Sequence, residues 1–412
     1  VIEDLPTPSP CQLKFHQWEV GMFIHFGPNT WMDKEGDDLS IPASGLNPAK
    51  LDTDQWVATA KSMAAKYIVF VAKHCGGFCW WQTETTDYSV AGTPWKNGKG
   101  DVMADLAASC KKAGMALGVY LSPRDDFSGI KGGGRADSPE KQAEYERKFR
   151  RQLTELLTNY GDIEEVWFDG SLVFGVGDIL DDHAPEAVVF QGPEASIRWV
   201  GNERGFAPDP AWSAVAFGAK KWGGYTAADG DPDGDRWLPN ECDARIRNTW
   251  FWRTDNLETL KSVDDLMEMY ERSVGRGAVL LLNNTPDPTG LIPETDVVRS
   301  GEFGAEIERR YGIPVIDTAG TGKELNMGPS APVAIDAVMI QEDIRKGQRI
   351  RAYQVEGLVD GEWKEHSKGT SVGYKKIDRF STVEVEQIRL RVTDSAADPV
   401  ISNFAVFNTG TT

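Results

Sequence analysis

Glu164-Glu165-Val166-Trp167-Phe168-Asp169-Gly170 places three β-favouring residues between an acidic pair and an Asp-Gly step. This is the pattern of a short buried strand that delivers Asp169 from its C-terminal end. Open parallel sheets and β/α barrels keep their chemistry at that end. Asp-Gly also suits a turn with no chemical role. The flanking chain decides between the two.

Ala116–Leu121, Tyr67–Ala72 and Gly21–His25 read as strands upstream, with Ala187–Phe190 and Ala278–Leu282 downstream. Tyr67–Ala72 is continuously apolar, as a strand covered on both faces should be. Helices are expected over Asp54–Lys66 with Asp54 as N-cap, over Asp101–Ala113, from Ser138-Pro139 to Tyr160, and near Asp264–Arg276. Repeated βα units predict an α/β fold with a parallel sheet, most simply a (β/α)8-type barrel. After about Gly312 the texture changes to short strand-like runs: Ala334–Ile340, Arg349–Val355, Glu362–His366, Val383–Val392 and Val400–Asn408. These predict a C-terminal antiparallel β-sandwich. The expected division is a catalytic barrel over 1–311 and a sandwich over 312–412.

The bulk properties agree. A chain of 412 residues, 40% of them hydrophobic, suits a barrel plus a smaller module, and it contains no 18-residue apolar run that predicts a membrane span. A net charge of −19 argues against nucleic acid as a partner. The five cysteines (Cys11, Cys75, Cys79, Cys110, Cys242) lack zinc spacing, although Cys75 and Cys79 are close enough in sequence to bridge. The chain starts at Val1, which fits removal of a leader and a secreted or periplasmic location. The sequon Asn283-Asn284-Thr285 ends an apolar strand, a poor place for a glycan. Of 14 tryptophans, all but Trp363 lie at or before Trp252, so the stacking surface belongs to the first domain.

His25, Lys73-His74, Tyr120 and Asp169 end consecutive strands and therefore face one barrel mouth. His16, His183 and His366 carry no comparable signal. A lone strand-end histidine is usually only a satisfied polar group; several on one rim point to a site.

Further stretches strengthen that rim: Trp18–Gly27, Ala72-Lys73-His74 with Gly77-Phe78, Thr86–Val90, Pro94–Val102, Val166–Gly170, Arg198–Glu203 and Pro239–Trp252. Together they resemble family 29 glycoside hydrolases, the α-L-fucosidases, in the branch that prefers α-1,3/1,4-linked fucose. The resemblance runs over most of residues 10–300. It implies retaining exo-hydrolysis of terminal fucose from a fucosylated oligosaccharide or glycoconjugate, with no cofactor and no metal. It further implies Asp169 as nucleophile, Glu203 as general acid/base, and sugar contacts from His25, His74, Tyr120, Trp167 and Arg247. Retention requires two carboxylates about 5–5.5 Å apart. Glu241 is the rival acid, but the nearby Arg245 and Arg247 would hold it ionised, which suits electrostatic support better.

The chain departs from the family pattern in several places. Cys75 replaces a second histidine, Gly76 an acidic residue, and Arg124 a tryptophan, and the tryptophan usual after Lys34-Glu35 is missing. Cys75 and Arg124 are expected to act as a compensating pair beside the sugar. The shortened chain between Asp169 and Glu203 implies loss of a helix after the fourth strand. Asp229–Asp235 resembles the start of a calcium loop, but position twelve is Asn240, which favours a solvated acidic loop. The other readings to be tested are hydrolysis of a related L-sugar such as an α-L-galactoside, and a catalytically idle sugar-binding barrel.

Overall fold

The structure, a computed structural model, describes residues 5–216 and 230–410. Asp229, the first residue of the acidic loop, lies outside the described residues. Among those described, eight strands form one parallel sheet: β1 (Val20–Ile24), β2 (Tyr67–Lys73), β3 (Ala116–Leu121), β4 (Glu165–Trp167), β5 (Val188–Phe190), β6 (Arg198–Trp199), β7 (Asn240–Arg245) and β8 (Val279–Asn283). Their order is β5-β4-β3-β2-β1-β8-β7-β6, and a parallel bridge between Phe190 and Ile197 brings the two ends together.

Each strand divides its residues by period two. On β2, Ile68, Phe70 and Ala72 join the layer beneath the helices, whereas Tyr67, Val69 and Val71 fill the barrel interior. Gly21 lies beside Tyr67 on the neighbouring strand, and a Cβ there would collide with the tyrosine ring. A β-bulge between Val71 and Lys73 then breaks the alternation. Lys73 leaves the interior to bond Tyr145 Oη and Gln152 Oε1 on the long helix Pro139–Asn159, and His74 turns into the mouth.

The helices expected from Asp101 and Ser138 are present, and those two residues are their N-caps. The helix expected from Asp54 is Thr53–Ser62, capped instead by Asp52, whose carboxylate accepts from the N–H groups of Asp54 and Gln55. A helix does follow β4, at Gly177–His183. The economy falls one unit later, where residues 191–197 join β5 to β6 with no helix. The polar strand β7 gave no hydrophobic signal, because Glu241, Asp243 and Arg245 alternate on it.

Beyond the helix Glu294–Tyr311 the chain builds two antiparallel four-stranded sheets. One contains Ile316–Thr321, Val400–Phe407, Val333–Glu342 and Lys376–Val385; the other contains Glu324–Met327, Gln387–Ser395, Ile350–Val359 and Glu362–Gly369. Ile335, Val338, Val355, Ile388, Leu390 and Phe404 fill the space between them. The single strand expected over Val383–Val392 is two strands, because the chain changes sheets at Glu386. Lys376 ties the sandwich to the barrel through both carboxylate oxygens of Asp209, each at 2.8 Å. No described helix is long and apolar enough to cross a membrane. Asn283, the acceptor of the sequon, is buried and donates its Nδ2 to the Trp250 carbonyl, so the sequon is closed to glycosylation.

Candidate active site

The C-terminal ends of the strands surround a cavity of about 210 Å³ lined by Phe23, His25, Glu35, His74, Tyr120, Trp167, Asp169, Glu203, Asp243, Trp250 and Phe251. It is smaller than the roughly 300–1,000 Å³ typical of a drug-sized pocket and suits a single sugar ring.

Period two explains the lining. Trp167 and Asp169 continue the inward face of β4, Phe23 and His25 that of β1, and Asp243 that of β7. Asp169 stands just past β4, where Gly170 and Ser171 adopt positive φ and turn the chain away. Solvent reaches Asp169 through the mouth while protein crowds its other sides. That crowding raises its carboxyl above the ordinary aspartate range, opposed by a 2.9 Å hydrogen bond from Tyr120 Oη to Oδ2. Tyr120 stacks on Trp167 at 5.3 Å, and Trp167 lies flat on Phe190 at 3.8 Å.

The two histidines are held neutral. Asn283 donates its Nδ2 to the Trp250 carbonyl, which turns its Oδ1 to accept from His25 Nδ1 at 2.8 Å. His25 Nε2 is therefore an acceptor. Burial, then His74, pushes the His25 pKa well down. Burial and Arg124 bring His74 down to about 4.

Glu203 follows β6 on a loop, half-exposed, accepting from Trp250 Nε1 at 3.2 Å with Arg245 at 3.7 Å. Two further carboxylates in the lining escaped the sequence reading. Glu35 accepts from the backbone N–H groups of Trp250 and Phe251 and so pins that aromatic segment. Asp243 is 5% exposed and accepts from Trp199 Nε1 at 2.7 Å. Burial holds its carboxyl well above the normal range; the Trp199 bond opposes this and Glu203 adds to it.

Four expected contacts lie elsewhere. Glu241 is fully buried two residues below Asp243, accepting from Tyr67 Oη and Trp167 Nε1, both at 2.7 Å. It touches Trp167 rather than the cavity. The arginines expected to hold it ionised go elsewhere: Arg245 to Glu203, Arg247 to Asp296. Arg247 is 4% exposed, and its guanidinium is occupied by Asp296 (2.6 and 2.9 Å) and Asn256 (3.0 Å). It anchors the loop that carries Trp250 instead of lining the cavity. Arg124 bonds Asp126 at 2.6 Å with its side chain half-exposed, and neither it nor Cys75 is among the residues lining the cavity. Cys75 and Cys79 are both free thiols; Cys75 Sγ lies 3.3 Å from His74 Nδ1, and burial pushes its pKa up to about 11. At Gly76 a Cβ would collide with the Asp37 carboxylate, which occupies that space from another loop.

Asp296→Ala leaves the buried Arg247 guanidinium without its counter-charge, and a loss of about 3–5 kcal/mol of stability is expected. Chemical denaturation measures this directly.

Carboxylates held over an aromatic floor at the C-terminal mouth of a parallel barrel are the layout of a glycoside hydrolase. The family model described as Alpha-L-fucosidase matches residues 37–309. "Alpha-L-fucosidase 1" of Arabidopsis thaliana is 34% identical, covering 98% of this chain and 88% of the relative. A solved Bacteroides thetaiotaomicron chain superposes with a TM-score of 0.92 at 35% identity, covering 98% of this chain and all of that one. A Ruminococcus gnavus GH29 fucosidase solved in complex with fucose gives a TM-score of 0.86 at 28% identity, covering 98% and 95%. The chain belongs to the α-L-fucosidase family.

Proposed function

We propose that the protein is a retaining exo-α-L-fucosidase that removes terminal, α-1,3/1,4-linked fucose, with Asp169 as nucleophile and Glu203 as general acid/base. The observation that carries this is a monosaccharide-sized cavity in which Asp169 stands among two neutral histidines, with Glu203 on its wall. Tyr120 occupies Oδ2 of Asp169 and leaves Oδ1 for the anomeric carbon. Attack breaks the glycosidic bond and forms a covalent fucosyl-Asp169 ester as Glu203 protonates the leaving oxygen. Glu203 then takes a proton from water, which attacks the same carbon and releases Asp169. His25 Nε2 accepts from a ring hydroxyl. The protonated Cys75 thiol can donate to His74 Nδ1, leaving the His74 Nε2–H as a donor, so the two rings offer complementary partners. The barrel over 1–311 acts as the catalytic unit, and residues 312–412 form the sandwich unit.

Asp243 supports a second reading of the proton donor. It lines the cavity in surroundings that favour its protonated form, whereas Glu203 has Arg245 beside it.

Turnover of 4-nitrophenyl α-L-fucoside and of α-1,2-, α-1,3- and α-1,4-fucosylated glycans tests the assignment, with release of free fucose and faster cleavage of the 1,3 and 1,4 linkages expected. Faster cleavage of an α-L-galactoside would overturn the sugar assignment. Binding of fucose without turnover of any fucoside would leave a sugar-binding barrel.

A further inference from the structure

Glu165 lies on the inward face of β4, in register with Trp167 and Asp169, and is completely buried. Both of its carboxyl oxygens are shut off from solvent, and among the described residues no N–H or hydroxyl donates to them. The Glu241 carboxyl reaches across the barrel from β7 to bond Trp167, two residues along the same inward face, and so brings a second carboxyl to Glu165. Glu241 is equally buried and already accepts from Tyr67 Oη and Trp167 Nε1. Two ionised carboxylates cannot share a dry interior without a counter-charge. Two carboxyls with one proton between them can, as acid and acceptor.

We propose that Glu165 is a carboxylic acid that donates its proton to Glu241, and that this shared-proton pair is the positioning device that fixes Trp167 beneath the sugar. The inference rests on the reading of the cavity as a fucose site. The direction of the bond follows from the partners. An indole N–H can only donate, so Glu241 must present acceptor oxygens to Trp167. Tyr67, facing the bare backbone of Gly21, holds the other Glu241 oxygen. Glu165 has no such donors and keeps the proton. Burial pushes both carboxyls upward, and the bonds from Tyr67 and Trp167 draw only Glu241 back.

The arrangement reaches the chemistry through packing. Trp167 stacks on Tyr120, and Tyr120 donates to Asp169. A displaced indole would shift the floor under the sugar and the donor on the nucleophile together. Glu165 and Glu241 touch neither cavity nor substrate and are positioning residues.

The two isosteric substitutions separate the roles. Glu165→Gln keeps a donor toward Glu241, so kcat/KM is expected within about threefold of the native value, whereas Glu165→Ala should lose activity that glutamine restores. Glu241→Gln turns an N–H toward Tyr67 or Trp167 and should cost about tenfold or more, mainly in KM, because a buried donor is left unpaired. Infrared difference spectra supply a readout free of substrate: Glu165→Gln should remove a buried carboxylic-acid C=O band that persists in Glu203→Gln. Equal losses in the two glutamine variants, or no acid band lost in Glu165→Gln, would overturn the proposal. Should Glu241→Gln fail to fold, the infrared comparison of the native chain with Glu165→Gln decides alone. An acid band lost as expected, in a protein that cleaves no fucoside, would leave the pair standing and sink the functional reading instead.

Discussion

Asp169→Ala is expected to lower kcat on every fucoside by about four orders of magnitude or more, because both steps of the proposed reaction pass through its carboxylate. The fold should survive, since Asp169 is open at the mouth and its one side-chain bond among the described residues is to Tyr120. The vacated space admits a small nucleophile. Azide should therefore restore cleavage of 4-nitrophenyl α-L-fucoside and give the β-fucosyl azide, inverted at the anomeric carbon. Loss without rescue would assign Asp169 to binding alone. Tyr120→Phe makes a related point through pH. The Tyr120 bond lowers the Asp169 pKa against the effect of crowding. Removing it should raise that pKa and move the acidic limb of kcat/KM to higher pH; an unmoved limb would mean that another group sets it.

The second large effect belongs to Glu203, the proposed proton donor. Glu203→Ala should cost about 10²–10⁴-fold on natural glycans, whose leaving alcohols need protonation. It should change 4-nitrophenyl fucoside cleavage far less, because that leaving group departs as a stable anion. Asp243→Asn provides the control. Removing a cavity-wall acid should affect both substrate types alike. If the leaving-group dependence appears in Asp243→Asn and not in Glu203→Ala, the acid role moves to Asp243.

Much of this architecture was legible in the residues because the barrel strands carry hydrophobic signal on both faces. Tyr67–Ala72 and Ala116–Leu121 could be read almost to the residue, and their ends located His74, Tyr120 and Asp169 together. Strand β7 was hidden for the same reason that it matters: its inward side chains serve the cavity and its floor, so it lacks the apolar pattern. Asp243 went unseen with it. Arg247 shows a different limit. Its position beyond β7 suggested a sugar contact, but Asp296 lies 49 residues later, and only the closed barrel brings that helix against the loop. Arg124 was similarly claimed by Asp126, two residues away. The space above Gly76, filled by Asp37 from a distant loop, could not be anticipated from the local chain.

Retention by this site requires a fucosyl ester on Asp169. Incubation with 2-deoxy-2-fluoro-fucosyl fluoride, which forms such an ester readily and hydrolyses it slowly, followed by proteolysis and mass spectrometry, addresses it most directly. A single fluorofucosyl adduct is expected on the peptide containing Val166-Trp167-Phe168-Asp169-Gly170, absent in Asp169→Ala. An adduct on Glu203 or Asp243, or no adduct together with β-fucose as the first product of an α-fucoside, would contradict it.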